Sequence, residues 1–408
     1  MKIVYLSPCG QLGGAEVFLL NMMASLRAAE PEWRLYLILS ESGPLATRAA
    51  ELGVDSTVLA FPPALAHLGD AGAGRTAGHQ FGRFALLCKL ILAIPSVIFY
   101  VHRLRRMVRK LSPDVVHANG FKMHVLGSWA TPRRIPLLWH IHDYVSARPV
   151  MARLLRRCAR HCSVAIANSR SVAEDMKAVC DENLNVQIIY NAVDLERFMP
   201  AGPALDLDTL AGLPPSLPGT VRVGMLATLA RWKGHETFLR AMALVPASLP
   251  VRGYLTTGAL YQTDGSQYSL AEIKRLIETL GLSHRIGLTD FVSQPAAAMR
   301  ALDVVVHAST QPEPFGLVIA EGMACGRAVI ASNTGGATEL VEAEVNALTH
   351  EPGDSQALAH RIVELVTDAQ LRRRLGAAGR MTAERRFDRA RLAKELIPLY
   401  CQVTSPSN

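Results

Sequence analysis

Residues 303–332 read DVVVHASTQPEPFGLVIAEGMACGRAVIAS. Two short apolar runs, DVVVHAS and AVIAS, flank a helical pattern that opens at Gly316. Such runs fit strands buried on both faces, and a helix between them makes the sheet parallel. Pro312 and Pro314 hold the intervening segment off a regular helix. Two carboxylates, Glu313 and Glu321, stand in the loop and near the second helical turn. The free amides and dipole of a helix start carry about half a positive charge, so the junction suits phosphate. An acid on either side of a phosphate site suits a phosphate-linked sugar, one for the sugar and one for a ribose.

The same alternation fills the chain. KIVYLSP, WRLYLILS, DVVHAN, LLWHIHD, VAIANS and VQIIYN read as strands in the first half; VRVGML, VRGYLTT, RIGLTD, DVVVHAS, AVIAS and EVNALTH do so in the second. Helical patterns at 16–29, 170–180, 235–245, 269–280, 316–325 and 355–366 lie between them. Twelve strands divide better into two sheets than one, and the stretch 200–219, PAGPALDLDTLAGLPPSLPG, is the aperiodic divider. The expected fold is α/β, with two Rossmann-like, doubly wound domains facing across a cleft. The expected boundaries are 1–199, a linker at 200–219, 220–385, and a terminal helical segment at 386–408. Ligands in such sheets sit at the carboxyl ends of the strands, and here are expected in the cleft.

With 408 residues, half of them hydrophobic, the chain can bury sizeable cores; order is not expected at 69–80 or in the closing VTSPSN. The seven cysteines are scattered and odd in number, and KIVYLSP reads as a strand almost at once, so no signal peptide is expected. A reducing, cytoplasmic compartment is expected. Cys158, His161 and Cys162 have no second ligand pair at metal spacing and read as structural.

The net charge of +8 is concentrated between Arg83 and Arg160, where the acids are only Asp114 and Asp143. The apolar segment 84–101, FALLCKLILAIPSVIFYV, runs into HRLRRMVRK. It is short of the roughly 20 residues of a membrane span, and Pro95 interrupts it. An interfacial helix over 84–110, docking on an anionic membrane, fits better, against the plainer reading of a core-facing helix with a solvated basic end. No aromatic-and-basic RNA module is present, so nucleic acid is not an expected partner.

Other motifs are weaker singly. SPCGQLGGAE places Gly13 and Gly14 between a strand and a helix, where backbone can approach phosphate, without the full dinucleotide fingerprint. Gly72, Gly74 and Ala77 approach that fingerprint but have no strand before them. WHIHD sets His140 and His142 on one strand face; a sugar contact, a core histidine and a metal pair all remain open. LARWKGHETFL puts Lys233 on a loop entering a helix, with Arg231 as a possible second cation for a diphosphate. Gly335 and Gly336 follow AVIAS in what a turn alone explains. The acidic DLD at 206–208 lies in the expected linker with no strand around it, a poor place for a metal.

In this order, GGAE, HANGFKMH, WHIHD, ANSRSVAEDM, IYNAVDLERF, RWKGHETFLRA, LDVVVHAS, PEPFGLVIAEGMACG and NTGGATEL resemble the retaining glycosyltransferases of family 4, which have the GT-B fold. The resemblance covers nearly the whole chain. It implies a nucleotide-diphosphate-sugar donor held mainly by the second domain, and a glycan or lipid-linked acceptor held mainly by the first. It also implies a last helix that crosses back to the first domain, no cofactor and no metal. By position it implies Glu313 at the donor sugar, Glu321 at the ribose hydroxyls, and Lys233 at the departing diphosphate. The amides of Phe315, Gly316, Leu317 and Val318 would hold the phosphates or the sugar. Gly14 would admit the diphosphate, and His142 would contact the donor sugar. Relatives often carry Arg where this chain has Thr228, and Gly where it has Ala192; Gly322 and Ala328 stand for a frequent Ala and Pro.

The expected product is a cell-surface polysaccharide or glycolipid made at the inner face of a membrane. An epimerase or hydrolase of nucleotide sugars on the same fold, a non-catalytic nucleotide-sugar binder, and a metal-dependent hydrolase using His140 and His142 are the competing readings.

Overall fold

The computed structural model describes residues 1–66, 80–258 and 266–405, with the side chains of 80–91 excepted. The near-fingerprint at Gly72, Gly74 and Ala77, most of 69–80 and the last residues, 406–408, lie outside this description; Val403 and Thr404, expected to be unordered, are helical.

Thirteen strands form among the described residues: β1 (Lys2–Ser7), β2 (Arg34–Leu39), β3 (Asp55–Val58), β4 (Val115–Asn119), β5 (Leu137–Ile141), β6 (Val164–Ala167), β7 (Val186–Ile188), β8 (Val221–Thr228), β9 (Val251–Gly258), β10 (Ile286–Thr289), β11 (Val304–His307), β12 (Ala328–Ser332) and β13 (Leu348–His350). They make two wholly parallel sheets, ordered β3-β2-β1-β4-β5-β6-β7 and β10-β9-β8-β11-β12-β13. The central strands are sealed on both faces, which is why they read as unbroken apolar runs. The strand missed in sequence is β3, a half-exposed edge strand of sequence DSTV with no apolar run to announce it.

Two compact units result. One comprises Met1–Tyr190 with Ala390–Asn408, the other Asn191–Arg389. The first core gathers Val4, Leu6, Val116, Trp139 and Ala165. The second gathers Val223, Leu255, Val304, Ile330 and Leu348.

These limits differ from the expected 199, 219 and 385. Residues 191–199 join the second unit because Val193 N–H donates to the Phe387 carbonyl at 2.7 Å and Asp194 pairs with Arg389 at 2.5 Å. The stretch 200–219 is not a free linker but part of the second unit. Asp208, 3% exposed, accepts from Tyr254 and Arg252 at 2.6 Å each, from the Ser216 amide at 3.0 Å and from Arg222 at 3.1 Å. Burial would raise the Asp208 pKa, but these bonds outweigh it and hold the carboxyl well below its usual range. That accounts for Asp208 of DLD without a metal.

The final helix, Arg391–Thr404, belongs to the first unit, where the Ala393 amide donates to Ser25 of the helix Gly14–Ala29 at 3.0 Å. The helix Gln80–Leu111 runs unbroken through Pro95, against the expected interruption. Pro95 sits on the exposed face, where backbone groups freed by its missing N–H reach water. No helix among the described residues is long and apolar enough to cross a membrane.

Candidate active site

In the second sheet the order reverses between β8 and β11, and a ligand is expected just beyond the carboxyl ends of those two strands. Both strands send their loops there. After β8, Arg231–Lys233 form one tight turn ending at Gly234, whose φ is 82°. After β11, the chain passes through Glu313 and enters the helix Leu317–Ala324 by way of Gly316, with φ 91°. The Thr310 amide and hydroxyl bind the Trp232 carbonyl at 2.7 and 3.1 Å, locking the two loops together.

This lock sets Lys233 against Glu313. The ammonium lies 3.0 and 2.8 Å from the two carboxylate oxygens. Ser309 donates to the same carboxylate at 2.8 Å, and His307 Nε2 stands 3.2 Å from it. Burial would push the Glu313 pKa up, but the Lys233 charge and the His307 bond dominate and keep the carboxylate ionised well below its ordinary range. Its backbone carbonyl accepts the Gly336 amide at 2.7 Å, so the TGG turn that looked like plain connection braces the acid from behind.

Glu321 is different. It lies on the helix Leu317–Ala324, partly buried, with no hydrogen-bonding or ionic partner among the described residues. Burial raises its pKa to about 8, opposed by the charge of Arg197. A bare, poorly solvated carboxyl one and a half turns along a helix can receive hydroxyl groups from a ligand held at the helix start. The first-turn amides of Leu317 and Val318, with that of Gly316, have no carbonyl a turn earlier to bind.

One expected donor-site residue is placed otherwise. Arg231 donates to Glu272 at 2.6 Å and stacks on the Tyr268 ring at 4.3 Å, so its guanidinium is committed away from Lys233 and does not replace the Arg missing at Thr228. Phe315, expected to act through its amide, packs its ring in the core against Phe387 at 6.0 Å.

In the first unit the order reverses between β1 and β4. The loop after β1 is tight: a Cβ on Gly10 would come within 2.6 Å of the Glu41 carbonyl oxygen, and the Leu45 amide binds the Gly10 carbonyl at 3.0 Å. Gly14 opens the following helix, and a Cβ there would meet nothing within 4 Å. Glu16, 5% exposed, caps the Gly13 amide at 3.2 Å, and burial, opposed by that bond, lifts its pKa to about 7.

Just after β5, His142 is bonded through Nε2 to Asn119 Oδ1 at 2.5 Å, and its ring stacks on His140 with centroids 4.2 Å apart. Its Nδ1 has no partner among the described residues. Burial lowers its pKa to about 3, so the imidazole is neutral. With Nε2–H given to Asn119, Nδ1 is an acceptor fit for a hydroxyl. The stacked rings present faces rather than converging nitrogens, and among the described residues no group of three or more His, Cys, Asp or Glu is set to hold a metal ion.

Residues 12–197 match the family model described as Glycosyltransferase Family 4, and residues 218–382 match that described as Glycosyl transferases group 1. The chain belongs to glycosyltransferase family 4. Its two parallel-sheet domains are those of the GT-B fold. The chain is similar to the D-inositol 3-phosphate glycosyltransferase of Xylanimonas cellulosilytica, 31% identical over 59% of this chain and 57% of that relative. It therefore spans little more than half of that relative's length. A lipopolysaccharide core biosynthesis glycosyltransferase, LpsD of Rhizobium meliloti, is 26% identical over 73% of this chain and 78% of LpsD. Among solved structures, the Anabaena protein HepE in complex with UDP is 28% identical over 98% of this chain and 100% of HepE, with TM-score 0.76; HepE with UDP-glucose gives 27% and 0.77.

For this family 4 chain, sequence reasoning brought out Glu313, Lys233, Gly316, Leu317, Val318 and Glu321, which the second unit gathers around one helix start. Gly14 and His142 lie at the carboxyl ends of the first sheet. It missed His307 and Ser309, which grip Glu313, and Asn119, which orients His142. The alternation of His307 and Ser309 beyond an apolar strand was the available signal.

Proposed function

We propose that this chain transfers a sugar, with retained anomeric configuration, from a nucleotide-diphosphate-sugar to a lipid-linked acceptor in polysaccharide or glycolipid synthesis. The observation that carries the reading is the Lys233–Glu313 pair at the start of the helix that bears the unpartnered Glu321. The UDP and UDP-glucose complexes of HepE, alike over the whole chain, support the donor class.

In this reading the amides of Gly316, Leu317 and Val318 hold the diphosphate. Lys233 has three N–H donors and gives Glu313 at most two, so one remains for a phosphate oxygen. Glu321 takes the ribose hydroxyls, and Glu313, ionised and braced, faces the sugar. As the glycosidic bond lengthens, charge grows on the leaving phosphate, where Lys233 and the amides act, and on the oxocarbenium-like sugar, which Glu313 stabilises. The leaving phosphate takes the acceptor's proton on the same face. In the first unit, the open space over Gly14 suits phosphate, and His142 Nδ1 accepts from a sugar hydroxyl. No step calls for a metal ion.

The helix Gln80–Leu111 supports a peripheral place on the cytoplasmic face of an anionic membrane. Leu92, Ile94, Ile98 and Phe99 are exposed, and Arg103, Arg105, Arg106, Arg109 and Lys110 are exposed just beyond them.

Calorimetric titration with UDP, GDP and ADP and their sugars tests the donor class. Saturable binding of one nucleotide family, weakened in Lys233→Ala and in Glu321→Ala, is expected. Absence of binding to all of them sinks the reading.

A further inference from the structure

We propose that Tyr400, in the C-terminal helix Arg391–Thr404, is a positioning residue that sets the tautomer and ring orientation of the histidines beneath His142. The proposal rests on the reading of His142 as a sugar contact.

The geometry is a single line of buried polar atoms within the first unit. Tyr5 and Tyr400 hydroxyls lie 3.5 Å apart, Tyr400 Oη is 2.7 Å from His117 Nδ1, and His117 Nε2 is 3.2 Å from His140 Nδ1. Tyr5, Tyr400, His117 and His140 are all 0% exposed. The His140 ring then stacks on His142 at an interplanar angle of 21°, while the Phe18 edge closes on both rings.

Neutral imidazoles in such a line have only two self-consistent arrangements. Either Tyr400 donates to His117 Nδ1 and His117 Nε2–H donates to His140 Nδ1, or every bond runs the other way. The reverse would leave the Tyr400 proton only Tyr5 Oη, at a long 3.5 Å, or Met22 Sδ at 3.9 Å, a weak acceptor. The forward arrangement sends that proton to imidazole nitrogen and lets Tyr400 accept from Tyr5. It makes both His117 and His140 Nε2–H tautomers. His140 Nε2 has no partner among the described residues, so the His117 bond alone holds this ring by hydrogen bonding. Removing the Tyr400 hydroxyl removes the bias, and the His140 ring stacked on His142 no longer has a fixed tautomer.

No apolar requirement explains this line, since four fully buried polar side chains are costly to bury unless their bonds are made. It also gives the terminal helix a task beyond covering the sheet.

The test uses the full chain with 15N-labelled histidine, read by long-range proton–nitrogen correlation, alongside steady-state turnover. The parent is expected to show His117 and His140 with protonated Nε2 and bare Nδ1; the opposite tautomer at His117 overturns the proposal with no variant needed. Tyr400→Phe is expected to mix the tautomers of both histidines and to lower kcat at least about ten-fold, with the donor KM within two-fold. Trp33→Phe, which alters the packing on Tyr400 but not its hydroxyl, is expected to keep the parental nitrogen spectrum. Unchanged nitrogen signals in Tyr400→Phe, or mixed signals with parental kcat, overturn the proposal. Parental turnover in His142→Ala sinks the sugar-contact reading instead, and is seen independently of the nitrogen spectra.

Discussion

A methyl group on Gly234 would stand 1.9 Å from the carbonyl oxygen of Ala308. The close approach brings the turn bearing Lys233 onto the exit of β11, and so sets the Lys233–Glu313 pair. Gly234 also has φ 82°, a region that costs an L-residue roughly 1–2 kcal/mol before any clash. Gly234→Ala is therefore expected to lower Tm clearly and to weaken nucleotide binding. Gly14 makes the contrasting case, with open space where its Cβ would be. Gly14→Ala should leave Tm within about a degree, or raise it slightly, since alanine favours the helix by up to ~1 kcal/mol. If a diphosphate occupies that space, donor affinity falls all the same. Thermal melts and calorimetry on the two variants check both expectations.

Glu321 predicts a pH-dependent affinity. Its carboxyl is protonated below about 8 in the free chain. Ribose hydroxyls need an acceptor, so donor binding draws on the ionised form and releases a proton. Affinity for UDP-glucose, whose diphosphate does not titrate in this range, should rise from pH 6 to 8 and level off above. The limit is about ten-fold per pH unit, equivalent to 1.4 kcal/mol. Calorimetry in buffers of differing ionisation heat measures the proton released, and Glu321→Gln should abolish the slope. A flat profile in the parent removes Glu321 from the ribose.

The first unit should be acid-sensitive. Burial lowers His117, His124 and His142 to about 3 and holds His140 well below its usual value, so all four are neutral when folded. The unfolded chain takes up their protons near pH 6.5. Stability is therefore flat above about 6.5 and falls below it, by up to about 1.4 kcal/mol per pH unit for each histidine. Glu16 opposes this: its raised pKa makes the folded chain hold a proton that the unfolded one releases, and that contribution is lost as pH rises through about 7. Four groups against one leave a net loss in acid. Urea denaturation of the full chain between pH 5 and 7.5, followed by fluorescence of the buried Trp139, checks the sign.

Glu313 separates binding from transfer. In Glu313→Gln the carboxylate that holds Lys233 loses its charge, so nucleotide binding should be kept or tightened while turnover falls at least about a hundred-fold. The depressed pKa also contributes stability that is present above about 4.5 and lost as pH falls below it, and Glu313→Gln should lack that dependence. Parental turnover in this variant excludes Glu313 from the chemistry.

Vesicle binding tests the exposed helix face. Full-length protein should sediment with vesicles containing anionic lipid and not with neutral ones, less so at high salt. Reversing Arg105, Arg106 and Arg109 to Glu should cost at least about 1 kcal/mol per residue near the surface. Phe99→Ser should weaken binding with little change in the salt dependence. Equal binding to neutral and anionic vesicles contradicts the reading.

The two parallel sheets were legible in local pattern, because strands sealed on both faces must be continuously apolar and the helices between them amphipathic. So was the helix start after Glu313, since prolines at 312 and 314 and a glycine at 316 leave the backbone few alternatives. Edge strand β3 escaped, having no buried face to mark it.

Which side chains meet is a matter of how the elements pack. Arg231 and Lys233 look equivalent in one turn, yet one faces Glu272 and the other Glu313. The stretch 200–219 has the composition of a linker but is held by bonds from Arg222, Arg252 and Tyr254 to one aspartate. Tyr400 lies 283 positions from the His117 it binds. Local pattern carries no record of such partners, because hydrogen-bond and ionic geometry depends on how elements distant in the chain pack, not on their own periodicity.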